Sequence, residues 1–126
     1  GSEMCIRDRF GDQAIEHVSG LIRDCTEKHN GTGFRYGGEE MVVIFENKTL
    51  EETVAIMDSL RNDIKNTYIK NGDEAVCVKV SVGVSAYPET TQQINTLIDR
   101  ADKAMYYSKQ NGRDRLTVDG TFEGEE

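Results

Sequence analysis

Proline occurs once in these 126 residues, tryptophan not at all and cysteine only three times. With one proline and an ordinary share of apolar residues, the composition excludes a proline-rich linker and gives no sign of disorder. Cys5, Cys25 and Cys77 show neither metal-ligand spacing nor the density of a disulfide framework, so a reduced, cytosolic setting is the simplest reading. No apolar run approaches the length needed to cross a bilayer, so this chain has no membrane segment of its own. Positive charge is also short. Fifteen Lys and Arg stand against 23 Asp and Glu, a formal charge of −8. That excludes non-specific binding to nucleic acid, which needs a basic footprint. An anionic substrate would have to be met by a local cluster of cations and a metal, not by the overall field. The length suits one domain with a single core.

What is present is most concentrated at Arg35-Tyr36-Gly37-Gly38-Glu39-Glu40-Met41, followed by Val42-Val43-Ile44-Phe45. Two glycines between an aromatic residue and a β-branched run predict a tight hairpin, with positive φ at the bend as the reason for glycine. The two carboxylates after the bend sit at its rim. A bare loop beside paired acids suits a metal-bound polyphosphate, and equally suits a solvent-facing turn whose acids only add solubility.

Around the hairpin the pattern alternates helices with strands. Ile15, Val18, Leu21 and Ile22 recur at helical spacing from Asp12 to about Lys28, and Asn30-Gly31-Thr32-Gly33 reads as the loop that ends this helix. Phe34 to Tyr36 and Met41 to Phe45 are the hairpin arms. Thr49 and Glu52 form a capping box for a second helix whose buried stripe is Leu50, Val54, Met57, Leu60 and Ile64, with Ile56 on its flank. Lys70-Asn71-Gly72-Asp73 is a turn. From Ala75 to Ala86 the valines at 76, 78, 80, 82 and 84 alternate with Cys77, Lys79 and Ser81, which predicts a half-buried strand. A short helix starts at Thr90 or Thr91 and runs through Ile98, a further helix holds Ala101, Ala104, Met105 and Ser108, and Leu116 to Val118 is a last strand. His17 and His29 read as solvated helix and loop residues. The expected class is α+β.

Four segments in order resemble one family. They are Gly11-Asp12-Gln13-Ala14-Ile15, the Arg35–Met41 hairpin, Val80-Ser81-Val82-Gly83-Val84-Ser85, and Ala101-Asp102-Lys103-Ala104-Met105-Tyr106-Tyr107-Ser108-Lys109-Gln110-Asn111-Gly112-Arg113-Asp114-Arg115. Together they are similar to the GGDEF domains, the diguanylate cyclases, whose last motif reads Ala-Asp-x-Ala-Leu-Tyr-x-Ala-Lys-x-x-Gly-Arg-Asn-Arg. Here the signature is Gly-Gly-Glu-Glu-Met. The resemblance covers residues 10 to about 118 and implies a central, mostly antiparallel sheet flanked by helices, related to nucleotidyl cyclases and polymerase palms. It divides the chain into a leader (1–9), the domain (10–120) and an acidic tail (121–126). The leader, Gly1 to Arg9, resembles the translation of a sequencing-library adapter and is set aside. On that reading the family's first strand, with its metal-binding Asp, is lacking, and the fragment itself is expected to be unstable and inactive.

The resemblance implies a bacterial signalling enzyme that condenses two GTP into cyclic di-GMP, working as a cytoplasmic homodimer with Mg²⁺ or Mn²⁺. An upstream sensor domain, with or without a membrane anchor, is expected in the natural protein. Glu39 would hold metal and accept a proton, and Glu40 would support a second metal or act as a structural acid. Gly37 and Gly38 would make room for phosphate. Lys109 and Arg113, four apart at a helix end, either share a face and grip the triphosphate or compensate the helix dipole before a Gly112 cap. Asp12 would accept the guanine N1 and N2 hydrogens, a contact compatible with its being an N-cap, and so argues for GTP over ATP. Arg115 is ambiguous between a site role and a surface charge. Many members carry Arg-x-x-Asp just before the hairpin as an inhibitory product site. Lys28-His29-Asn30-Gly31 has no such pair, which implies no product inhibition by that route. The alternative is a degenerate relative that binds GTP or a partner without turnover.

Overall fold

The computed structural model describes residues 2–4, 11–37, 40–71 and 74–122. Its elements run β1 (Ser2–Met4), α1 (Gly11–His29), β2 (Gly31–Gly37), β3 (Glu40–Phe45), α2 (Leu50–Asn66), β4 (Ile69–Asn71), β5 (Glu74–Val76), β6 (Val78–Val84), α3 (Leu97–Gln110) and β7 (Arg115–Val118), with one 3₁₀ turn at Ile94–Thr96 leading into α3. The class is α+β, as expected. The strands pair as β1–β6–β7, β2–β3 and β4–β5; β6–β7 is parallel and the other three ladders are antiparallel.

β6 is the centre of the molecule. Val78 and Val80 pack into a core with Ala14 and Val18 of α1, Leu60 and Ile64 of α2, and Ile69. The strand was expected to be half buried, but its other face is covered as well. Ser81 is 5% exposed. A Cβ on Gly83 would collide with the Ala101 carbonyl oxygen and the Met105 amide nitrogen, so the backbone of α3 lies directly on that glycine. Ser108 of α3 is fully buried. Its hydroxyl donates to the Val82 carbonyl at 2.9 Å and pairs with the Thr117 hydroxyl of β7 at 2.7 Å. Small residues on this face admit a helix, where alternation alone suggested solvent.

Three further expectations meet a different structure. Residues 31–33 are a strand, not a loop: Asn30 alone turns the chain, at φ 58°, and Gly31 already pairs with Phe45. Glycine serves there because the Phe45 ring and the Ile22 side chain press onto Gly31 and Gly33, so packing overrides turn-like composition. The two helices expected after Thr90 are one, because nothing between Leu97 and Gln110 breaks the helical ladder. His17 is half-buried and not fully solvated, with its Nε2 buried and without a hydrogen-bond partner among the described residues. Within the stretch set aside at the N-terminus, Ser2–Met4 pair antiparallel with Val78–Val80 and satisfy an edge of β6 that would otherwise present unpaired backbone groups. Residue 1, residues 5–10 and the tail from 123 lie outside the described residues.

The capping box forms as expected. The Glu52 amide donates to Thr49 Oγ1 at 3.1 Å and the Thr49 amide to Glu52 Oε1 at 2.8 Å. The Leu50 amide, another orphan donor of the first turn, is taken by Glu89 at 3.0 Å.

Candidate functional site

The hairpin bends where expected: Gly37, at the end of β2, faces Glu40, at the start of β3, after a register shift at Tyr36. Gly38 and Glu39 lie outside the described residues. Gly37 does not use the positive φ expected of it. A Cβ there would meet nothing within 4 Å. Among the described residues neither backbone conformation nor crowding demands glycine at 37; the bare backbone borders open space there.

Glu40 stands against Asp102, in the second turn of α3. Burial, followed by a hydrogen bond to Asp102 and that residue's like charge, pushes the Glu40 carboxyl above the usual range, while the nearby Lys109 ammonium pulls it back down. Asp102 and Lys109 are seven residues apart, two turns of one helix face, so α3 presents one anion and one cation toward the hairpin. The hairpin and α3 also border a common cleft of about 600 Å³, lined by Glu40, Met41, Lys48, Val82, Asp102 and Met105 among others.

Arg113 does not share the helix face of Lys109. α3 ends at Gln110, and Gly112, Arg113 and Asp114 follow with φ of 112°, 58° and 45°. Arg113 instead lines a second, shallower recess with Asp58, Arg61 and Asp114. There Arg61 Nη1 donates to the Asp114 carboxylate at 2.8 Å and to its carbonyl at 3.1 Å, and Lys65 Nζ lies 2.7 Å from the other carboxylate oxygen. Burial would raise the Asp114 carboxyl, but Lys65 and then Arg61 outweigh it and hold the group below its ordinary range. Arg115 donates to the Asn111 carbonyl at 2.6 Å. Asp12 is the second residue of α1, and its side chain is outside the described residues.

Three contributors escaped the sequence reading: Asp102 beside Glu40, and Arg61 and Lys65 beside Asp114. Asp102 carried a usable signal, the two-turn spacing to Lys109. Arg61 carried none, because its bond to Asp114 spans 53 residues.

The acids present suit a hard divalent cation. A hydrogen-bonded carboxyl pair with one member's proton affinity raised is a site where added positive charge is favoured. Mg²⁺ is commonly held by only one or two carboxylates, with substrate phosphates completing its shell. Among the described residues no cluster of three or more His, Cys, Asp or Glu occurs, so any all-protein cage would need residues beyond them.

A family model described as "Diguanylate cyclase, GGDEF domain" matches residues 8–115. Among curated proteins the chain is 36% identical over 108 residues to Diguanylate cyclase A of Treponema denticola, covering 86% of this chain and 29% of that protein. It is 32% identical over 107 residues to Diguanylate cyclase DgcZ of Escherichia coli, covering 84% and 35%. The chain thus spans about a third of the length of these two curated relatives. Among solved structures, the GGDEF domain of DgcB from Caulobacter crescentus in complex with c-di-GMP superposes with a TM-score of 0.76 at 27% identity, over 90% of this chain and 67% of that one. The active GGEEF domain of a diguanylate cyclase from Vibrio cholerae superposes with a TM-score of 0.78 at 23% identity, over 96% and 81%, and shares the fold.

Proposed function

Because the chain belongs to the GGDEF family of diguanylate cyclase domains, we propose that it condenses two molecules of GTP into cyclic di-GMP. In each half-reaction the 3′-oxygen of one nucleotide bonds to the α-phosphorus of the other, the bond from that phosphorus to the pyrophosphate oxygen breaks, and pyrophosphate leaves. The hydroxyl proton passes to the Glu39 carboxylate. Two such transfers close the ring and release two pyrophosphates. One chain presents one nucleotide, so the reaction requires two chains face to face, a homodimer at least while substrate is bound.

Glu39 and Glu40 would hold Mg²⁺ or Mn²⁺, with Asp102 sharing the charge at Glu40. The cation, when bound, would offset charge building on the attacked phosphate. Lys109 and Arg113 bind the triphosphate, and Gly37 and Gly38 leave the space it fills. Asp12 accepts from the guanine edge, and its lone pairs would repel adenine's acceptor N1. The observation that carries this reading is the meeting of Glu40 with Asp102 and Lys109 at a glycine left bare toward open space. Phosphoryl transfer asks for that combination, since positioning and electrostatics supply most of its catalysis.

The test is product formation from GTP and Mg²⁺, followed by chromatography. Cyclic di-GMP and pyrophosphate should appear together, and Glu39→Ala should abolish both. Binding of GTP without product, or full activity in Glu39→Ala, would overturn the proposal.

No helix among the described residues is long and apolar enough to cross a membrane. We place the domain in the cytoplasm, where its substrate is, with a sensor domain elsewhere in the natural protein.

A further inference from the structure

The turn after α3 is held in a form that its own residues disfavour. Arg113 and Asp114 are consecutive non-glycine residues in the left-handed region, at φ 58° and 45°. Aspartate visits that region singly with little penalty, but arginine rarely does, and two such residues in succession call for support from the surrounding structure. The determinants here are visible on both sides. From α3, the Ser108 carbonyl accepts the Arg113 amide at 2.9 Å. From α2, Arg61 grips Asp114 at both carbonyl and carboxylate while Lys65 takes the second carboxylate oxygen. Asp58 in turn fixes Arg61, accepting from its Nε at 2.9 Å. Arg61 and Asp114 are well shielded, with side chains 14% and 19% exposed. The corresponding family motif has asparagine where this chain has Asp114, and the carboxylate is what allows two cations of α2 to engage one residue.

We propose that Arg61 and Lys65 are positioning residues for the nucleotide site: by clamping Asp114 they fix the turn that aims Arg113 at the triphosphate. The inference rests on the reading of Arg113 given under Proposed function. Neither α2 residue touches substrate; each acts through Asp114 on its chain neighbour. A guanidinium that must meet phosphate oxygens gains from a backbone already locked, since less motion is lost on binding. The arrangement also ties α2, itself anchored by the Thr49 capping box, to the turn that carries Arg113.

Steady-state kinetics on the whole chain separate this from a merely structural role. Arg61→Ala and Lys65→Met should each raise KM for GTP, Arg61→Ala by roughly tenfold, the scale of one misplaced charge-assisted hydrogen bond. kcat should change little. In an Arg113→Ala background the same substitutions should add nothing to KM, because the group they aim is gone. Arg61→Lys should recover only part of the loss, since it keeps the charge and loses the forked contact. Unchanged KM in both single variants would overturn the proposal. So would an Arg61→Ala effect that persists undiminished beside Arg113→Ala, which would mean direct contact or a general field. Amide exchange in the nucleotide-free chain decides the clamp independently of the assigned reaction. The Arg113 amide should exchange at least severalfold faster in Arg61→Ala and Lys65→Met, with core amides of β6 unchanged. Equal exchange would refute the clamp even if turnover is seen. Faster exchange in a chain that neither binds nor turns over GTP would leave the clamp standing and sink the function instead.

Discussion

Replacing Gly83 by alanine tests the packing on which the proposed site depends. β6 has helices on both sides, and on the α3 side the helix backbone itself rests on Gly83. An added methyl would land on the Ala101 carbonyl oxygen and the Met105 amide nitrogen, and would lie 2.8 Å from the Ala104 carbonyl carbon. None of these is the end of a flexible side chain, so no rotamer change relieves the clash. Either α3 lifts from the sheet or β6 bows. Overpacking in an ordinary core costs about 1–3 kcal/mol, and an obstruction made of helix backbone belongs at or above the top of that range. We expect Gly83→Ala to lose about 3 kcal/mol or more by urea denaturation, a large part of a small domain's stability. Because α3 carries Asp102 and Lys109, the surviving folded fraction should also bind nucleotide less well. Gly20→Ala is the matched control. Gly20 lies inside α1, and a methyl placed there would meet nothing within 4 Å, so the change should stabilise by about 0.5–1 kcal/mol through helix propensity alone. A Gly83→Ala protein within about 0.5 kcal/mol of wild type would refute the account of how α3 meets the sheet.

Two further outcomes follow from buried polar pairs. Ser108→Ala should cost about 1–2 kcal/mol in a denaturation midpoint series, because it strips the Thr117 hydroxyl of its partner, whereas Ser108→Ala with Thr117→Val should recover most of that loss. At the Glu40–Asp102 pair, the folded-state pKa of Glu40 is raised, so its contribution to stability is present below the unfolded carboxylate value and is lost as pH rises through the folded one. Asp102→Asn should therefore stabilise at neutral pH, with the gain shrinking toward acid; a gap that stays constant between about pH 4 and 8 would contradict the pairing.

Local signals were legible where their physics is local. Thr49 and Glu52 announce the start of α2 because both halves of the box lie within one turn. The valines at 78, 80, 82 and 84 identify the core face of β6, and the two glycines identify the hairpin bend. The opposite face of β6 was not legible because Ser81 and Gly83 look alike whether they meet water or a helix backbone; only the position of α3 decides. Residues 31–33 mislead for a related reason: their glycines serve close packing against Ile22 and Phe45, not a turn. In the site, Glu40 and Lys109 were nameable from motifs, whereas the closeness of Glu40 to Asp102 is a product of tertiary folding. The end of α3 at Gln110 also undoes the simple four-residue spacing argument for Lys109 and Arg113.

The strand pairings carry one more consequence. Among the described residues no ladder joins the β2–β3 hairpin to the β1–β6–β7 sheet. The hairpin and α3 therefore face each other across the cleft, with no continuous backbone weave to hold the distance between Glu40 and Lys109. Mild warming should widen that gap while β6 and β7 remain intact, and catalytic competence should fade at temperatures where the bulk spectrum still reports a native protein.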